Sequence, residues 1–148
     1  MSKEPQHVTK RHYEVLAEFR FRLRSFFRYS ETISRQQGLT PLQYQLMLHI
    51  KGYPGREWAT VGELATRMQA KHHGTVSLVN RCEKRGVVAR QVDPRDRRLV
   101  QIRLTSKGEK VLERLAQLHW DELLALRGLF VVHGLDRNVS SASPKATA

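Results

Sequence analysis

Six residues, Asp93 to Arg98, read Asp-Pro-Arg-Asp-Arg-Arg and separate the runs "VVARQV" and "LVQIRL". Both runs carry the β-branched, alternating character of strands. Joined by the charged six, the pair reads as a hairpin with a basic tip. Its tip is a turn fixed by Pro94 and crowded with charge. Asp93 and Asp96 can accept from backbone amides or hold arginines in place, and Arg95, Arg97 and Arg98 project from a thin loop.

What precedes the hairpin is helical. Thr40, Pro41 and Gln43 form a capping box with proline at the first helical position, opening a helix that stops before Gly-Tyr-Pro-Gly at residues 52 to 55. The same grammar recurs at Thr60 and Glu63, ahead of the apolar Val61, Leu64, Ala65 and Met68. After a three-residue break, "HHGTVSLVNRCEKRG" predicts another helix, with Val76, Val79 and Cys82 on one side, bases in its last turn and Gly86 beyond. Two short helices joined by a tight turn, the second polar and basic, describe a helix-turn-helix. With the hairpin directly after it, the lobe over residues 40 to 104 is a winged helix.

Long amphipathic segments flank this lobe. "FRFRLRSFFRYS" alternates like a strand, but Val8, His12, Val15, Leu16, Phe19, Leu23, Phe26, Phe27 and Ile33 make one helical stripe over residues 8 to 37, ending at Gly38. Ser106 and Glu109 suggest a further capping box before a last helix over 106 to 132, with Val111, Leu112, Leu115, Leu118, Leu126 and Leu129 apolar. Residues 133 to 148 are small and polar and are expected to be a disordered tail. The length suits one domain, 1 to 148, mainly α: a winged helix-turn-helix with a two-stranded wing and long terminal helices. Stripes longer than a small lobe can cover point to a homodimer.

Charge narrows the partner. Lys and Arg outnumber Asp and Glu by 26 to 14, spread through the body of the chain, which favours a polyanion. No apolar run is long enough to span a bilayer, and the first residues lack the apolar centre of a signal peptide, so a cytoplasmic protein without a membrane partner is expected. One cysteine excludes an internal disulfide framework and a cysteine-rich zinc site.

With these motifs assembled, the chain resembles the MarR family of bacterial transcription regulators. Asp93, Arg95, Asp96 and Arg98 match that family's wing motif, Asp-x-Arg-Asp-x-Arg. "LTPLQYQLMLHI", "TVGELATRM", "LVNRCEKRGVV" and "IRLTSKG" stand in the family's order, although Asn80 and Cys82 replace a commoner Asp and Leu. The resemblance implies a homodimer that binds double-stranded DNA at a pseudo-palindromic operator, acts as a repressor and is released by a small effector, with aromatic anions as a candidate class.

For the recognition helix, the candidate DNA contacts are Lys71, His72, His73, Thr75, Ser77 and Arg81. His73, Thr75 and Ser77 would reach base edges and Lys71 and Arg81 phosphates. On the wing they are Arg95, then Arg97 and Arg98, with Asp93 and Asp96 as supports; Arg98 could instead tie the wing to the body. A solvated charged face is the ordinary reading of each. Adjacent His72 and His73 point about a hundred degrees apart and cannot share one ion without distortion, so no metal site and no cofactor are expected. Cys82, on the apolar side of its helix, reads as a small hydrophobe before a peroxide sensor. Arg20, Arg22, Arg24 and Arg28 suit either a solvated face or an effector cleft. The alternatives are a winged helix that binds RNA or protein, or a metal- or redox-sensing member of the family. An enzyme finds no support, for there is no phosphate loop, nucleophile elbow or His pair with an acid.

Overall fold

The computed structural model describes residues 7–127. Along them run α1 (Lys10–Gln36), α2 (Pro41–Lys51), β1 (Trp58–Ala59), α3 (Val61–Met68), α4 (His72–Lys84), β2 (Val88–Val92), β3 (Val100–Leu104) and α5 (Ser106–Leu126). By internal contacts the chain divides into two compact units, Tyr29–Trp120 and a second made of Met1–Arg28 with Asp121–Ala148. The expected disordered tail, and the last residues predicted for the final helix, lie outside the described residues.

In the larger unit, local sequence signals set the helix starts. Thr40 Oγ1 accepts from the Gln43 amide while Gln43 Oε1 accepts from the Thr40 amide, and Thr60 and Glu63 repeat the exchange. Both boxes thereby satisfy otherwise orphaned N–H groups. Arg56 pairs with Glu63 and stacks over Trp58 and Tyr53, with ring-centroid distances of 3.8 and 4.3 Å, fastening the start of α3 to the segment before it.

The start of α5 departs from expectation. Ser106 is already the first helical residue, and Thr105 is the cap, its Oγ1 accepting from the Gly108 amide at 3.0 Å. Glu109 turns away to Lys51, 3.0 Å from its Nζ. The two-stranded wing also gains a neighbour. Residues 58 and 59 pair antiparallel with β3 through Trp58↔Arg103 and Ala59↔Ile102, giving the order β1-β3-β2. Two residues between a turn and a cap carry too little pattern to announce a strand.

The core of this unit draws on every element: Ile33 from α1, Leu46, Met47 and Ile50 from α2, Leu64 from α3, Val79 and Cys82 from α4, Val88 and Ile102 from the sheet, Leu112 and Leu115 from α5. The β2–β3 ladder runs from Val88↔Leu104 to Val92↔Val100, so the chain between them forms the wing tip. In the smaller unit Leu126 is buried, whereas Tyr13, Leu16, Phe19, Phe21, Phe27, Leu123 and Leu124 are exposed. Arg22 there pairs with Glu18 at 2.6 Å, one turn earlier. Among the described residues no helix is long and apolar enough to cross a membrane.

Candidate nucleic-acid interface

Rotation decides what α4 can offer. Thr75, Leu78, Val79 and Cys82 are buried and recur at i, i+3, i+4 and i+7, so they form the inner stripe. This corrects the expectation for Thr75: it is 1% exposed, and its hydroxyl donates back to the Lys71 carbonyl at 3.0 Å. A side chain held there cannot reach a base edge. Lys71, at the N-cap position, and His72, His73, Ser77 and Arg81 are exposed as expected. His73, Ser77, Asn80 and Lys84 stand furthest from the inner stripe, at steps of three and four residues.

The wing tip is built around one carboxylate. Asp93 Oδ1 accepts from the backbone amides of Arg95 at 2.7 Å and Asp96 at 3.2 Å, and Oδ2 accepts from Gln101 Nε2. Gln101 in turn accepts from Arg103 Nε at 2.9 Å, so a relay of side chains runs from β3 into the tip. The turn closes with the Asp93 amide donating to the Leu99 carbonyl and the Leu99 amide to that of Asp96, both at 2.9 Å. Asp93 thus braces backbone, and the Arg95 guanidinium stays free of it. Arg95 and Arg97 are exposed and form no ion pair among the described residues.

Asp96 supports the second half of the turn, accepting from the Arg98 amide at 3.0 Å and from Arg98 Nε at 3.2 Å. The Arg98 side chain is 93% exposed and, among the described residues, bonds only to this neighbour. It does not tie the wing to the body. That task falls to Arg90, which sequence reading passed over: its Nη1 lies 2.7 Å from Glu83 and its Nη2 2.7 Å from Asn80 Oδ1, joining β2 to α4. The asparagine that departs from the family's commoner residue therefore still accepts from this arginine. Only the ladder register, which places Arg90 opposite Ile102, reveals Arg90 as the link.

The Arg95 amide above all, then Gln101, the Asp96 amide and the charge of Arg95, hold the Asp93 carboxyl below its ordinary value of 3.8. A carboxylate whose folded value is depressed contributes order that is complete above the unfolded value and is lost as pH falls through the folded one. The wing turn is therefore expected to stay ordered at neutral pH and to loosen only below about pH 4. A pH titration of the Arg95 and Asp96 amide resonances should show a midpoint below 3.8. A midpoint at or above that value would remove Asp93 from this role.

Burial raises the Cys82 thiol to about 11, against a smaller opposing pull from Arg81. Thiolate is then scarce at neutral pH, which disfavours peroxide chemistry at this sulfur. Among the described residues no cluster of His, Cys, Asp or Glu is arranged to hold a metal ion.

Residues 37–99, from the α1–α2 turn to the end of the wing tip, match the MarR family. A MarR family protein from Bacillus stearothermophilus is 25% identical, with a TM-score of 0.68 over 87% of this chain and 89% of that one. The chain belongs to the MarR family. It is a family of transcription regulators and not of enzymes. The transcriptional regulatory protein for the hcr operon of Thauera aromatica is 30% identical over 111 residues, 72% of this chain and 65% of that protein. This MarR chain thus spans just under two-thirds of the length of that relative. A variant of MepR from S. aureus bound to an oligodeoxyribonucleotide shares the fold, with 20% identity and a TM-score of 0.63 over 82% of this chain and 84% of that one.

Proposed function

We propose that the chain is a cytoplasmic, sequence-specific DNA-binding regulator that acts as a homodimer on a pseudo-palindromic operator. The observation that carries this reading is the wing: a turn braced through Asp93 that leaves Arg95 and Arg97 exposed and unpaired, fastened through Arg90 to a helix with a polar, basic outer face. An arginine presented on a narrow loop suits the negative potential of a minor groove, while α4 enters the adjacent major groove. His73 and Ser77 take base edges, Lys71, His72 and Arg81 the backbone or neighbouring edges, and Arg98 a flanking phosphate.

Dimerisation is supported by the apolar side chains left exposed in the smaller unit, among them Leu16, Phe19, Phe27 and Leu123. A two-fold dimer presents its recognition helices about 34 Å apart, one turn of duplex. Repression is the simplest output, since a dimer seated on a promoter excludes polymerase without any further contact. A small effector, with an aromatic anion as the first class to try, would favour a spacing of the two helices that no longer fits the operator.

The test compares binding of the purified protein to its own promoter DNA and to a scrambled duplex, at several salt concentrations, for wild type and Arg95→Ala. A two-fold footprint is expected, with a preference of roughly a thousandfold or more. Arg95→Ala should weaken the operator complex by roughly ten- to a hundredfold. Equal, salt-sensitive binding to both duplexes would overturn the reading and leave a general polyanion binder.

A further inference from the structure

At the C-terminal end of α4 the larger unit carries an open pocket of about 400 Å³ lined by Gln43, Arg81, Lys84 and Arg85. The four side chains bring donors and no carboxylate. Gln43 is only 5% exposed, and its Oε1 is engaged by the Thr40 amide at 3.0 Å, which leaves its NH2 group as a donor beside the cations. Arg85 Nη1 lies 3.4 Å from where a Cβ on Gly38 would stand, so this guanidinium rests against the turn that precedes α2. None of the three cations forms an ion pair among the described residues, and Glu83, the acid nearest them in sequence, is taken by Arg90 at 2.7 Å.

Three like charges gathered without a counter-charge repel one another, and a bound anion relieves that repulsion. Their place on α4 indicates which anion. Lys84 shares the outward stripe of His73 and Ser77, and at 1.5 Å per residue it stands roughly 16 Å along the axis from His73, with Arg81 at roughly 12 Å. That distance matches the width of the major groove, about 12 Å. When the N-terminal turns of the helix lie over base edges, its C-terminal end lies over the strand that borders the groove.

We propose that Gln43, Arg81, Lys84 and Arg85 seat one backbone phosphate of the bound duplex, adding affinity but no sequence preference. The inference rests on α4 being the recognition helix. Lys and Arg supply charge-assisted bonds to the phosphate oxygens, and the Gln43 amide adds a neutral donor.

The experiment measures affinity against salt for the full chain and for Lys84→Gln/Arg85→Gln, on the promoter duplex and its scrambled counterpart. Circular dichroism checks that the variant folds; Lys84→Gln alone serves if the double variant does not. The slope of log affinity on log salt should become shallower by about 0.9 for each protomer bound. Affinity at 0.1 M salt should fall roughly eightfold per protomer on both duplexes, leaving their ratio unchanged. Lys84→Arg should retain the wild-type slope.

An unchanged slope overturns the proposal, as does a loss confined to the promoter duplex, which would make these residues base readers. Calorimetric titration with inorganic phosphate and pyrophosphate covers the other source of the same chemistry. Binding that is lost in the variant while the DNA slope holds would overturn the proposal in favour of a free-anion site. A wild type indifferent to the promoter sequence would sink the regulator reading alone, because the slope change on any duplex would still support the phosphate seat.

Discussion

Gly108→Ala is expected to lower stability by about 3 kcal/mol, the upper end of the overpacking range. A Cβ on Gly108 would stand 2.0 Å from the Val87 carbonyl oxygen and 3.0 Å from its carbon, both backbone atoms with no rotamer to yield. The Val87 carbonyl is itself held, accepting from the Thr105 amide at 3.1 Å. The first turn of α5 therefore sits directly on the backbone at the entry to β2, and a methyl group must push helix and wing apart. For a chain of this size the cost corresponds to a drop in Tm of roughly 6 to 12 °C. Gly62→Ala is the control, since a Cβ there meets nothing within 4 Å; it should be neutral or stabilising by up to about 1 kcal/mol. Thermal unfolding of the two variants checks both. A Gly108→Ala protein as stable as wild type would show that α5 can lift off the Val87 carbonyl without loss.

His119→Ala is expected to cost about 3 kcal/mol, in the range for deleting a buried ring. The imidazole stacks on Tyr44 with centroids 4.2 Å apart and planes at 8°. Its Nδ1 lies 2.7 Å from the Leu115 carbonyl and its Nε2 2.6 Å from Ser30 Oγ. A carbonyl can only accept, so Nδ1 carries the proton and Nε2 accepts from the serine. Truncation removes the ring contact and leaves the buried Ser30 hydroxyl without its acceptor.

Burial lowers the His119 value below 6.5, with a partial offset from the bond to Leu115. The folded chain thus refuses a proton that the unfolded chain accepts, so this contribution is complete above about pH 6.5 and declines as pH falls from there to the folded value. Burial, with Arg67 adding to it, lowers His49 in the same direction. Tyr44, raised by burial to about 12, takes no part near neutrality. Urea unfolding at pH 7.5 and pH 5 should show wild type losing stability on acidification, and His119→Phe, which keeps the ring contact, losing less. An equal loss in both proteins would assign the acid sensitivity to His49 or to other groups.

Both positions depend on partners far away in the chain, beyond what local pattern can reach. The helix starts at Thr40 and Thr60 were legible because a capping box is complete within four residues and needs no tertiary partner. The wing was legible because two β-rich runs flank a short, proline-fixed charged turn. Gly108 was visible only as the last letter of "IRLTSKG", since its requirement comes from a carbonyl more than twenty residues earlier. Thr75 was misjudged for the same kind of reason. Its polar hydroxyl suggested the outer face, but packing against the core rotated α4 so that the threonine joined Leu78 and Cys82 and returned its proton to Lys71. Arg90 and Gln101, which hold the wing, look like ordinary strand residues until the ladder sets them beside their partners.

By itself the sequence determined the element order, the caps, the basic balance and the family motif, all of which are encoded over a few residues or in bulk composition. Folding alone decided how α4 is rotated, which acid braces which backbone, where a glycine must have no side chain, and that Lys84 and Arg85 meet Gln43 around one pocket. Those are contacts between segments far apart in the chain. Their energies depend on distances of a few ångströms that no local pattern specifies.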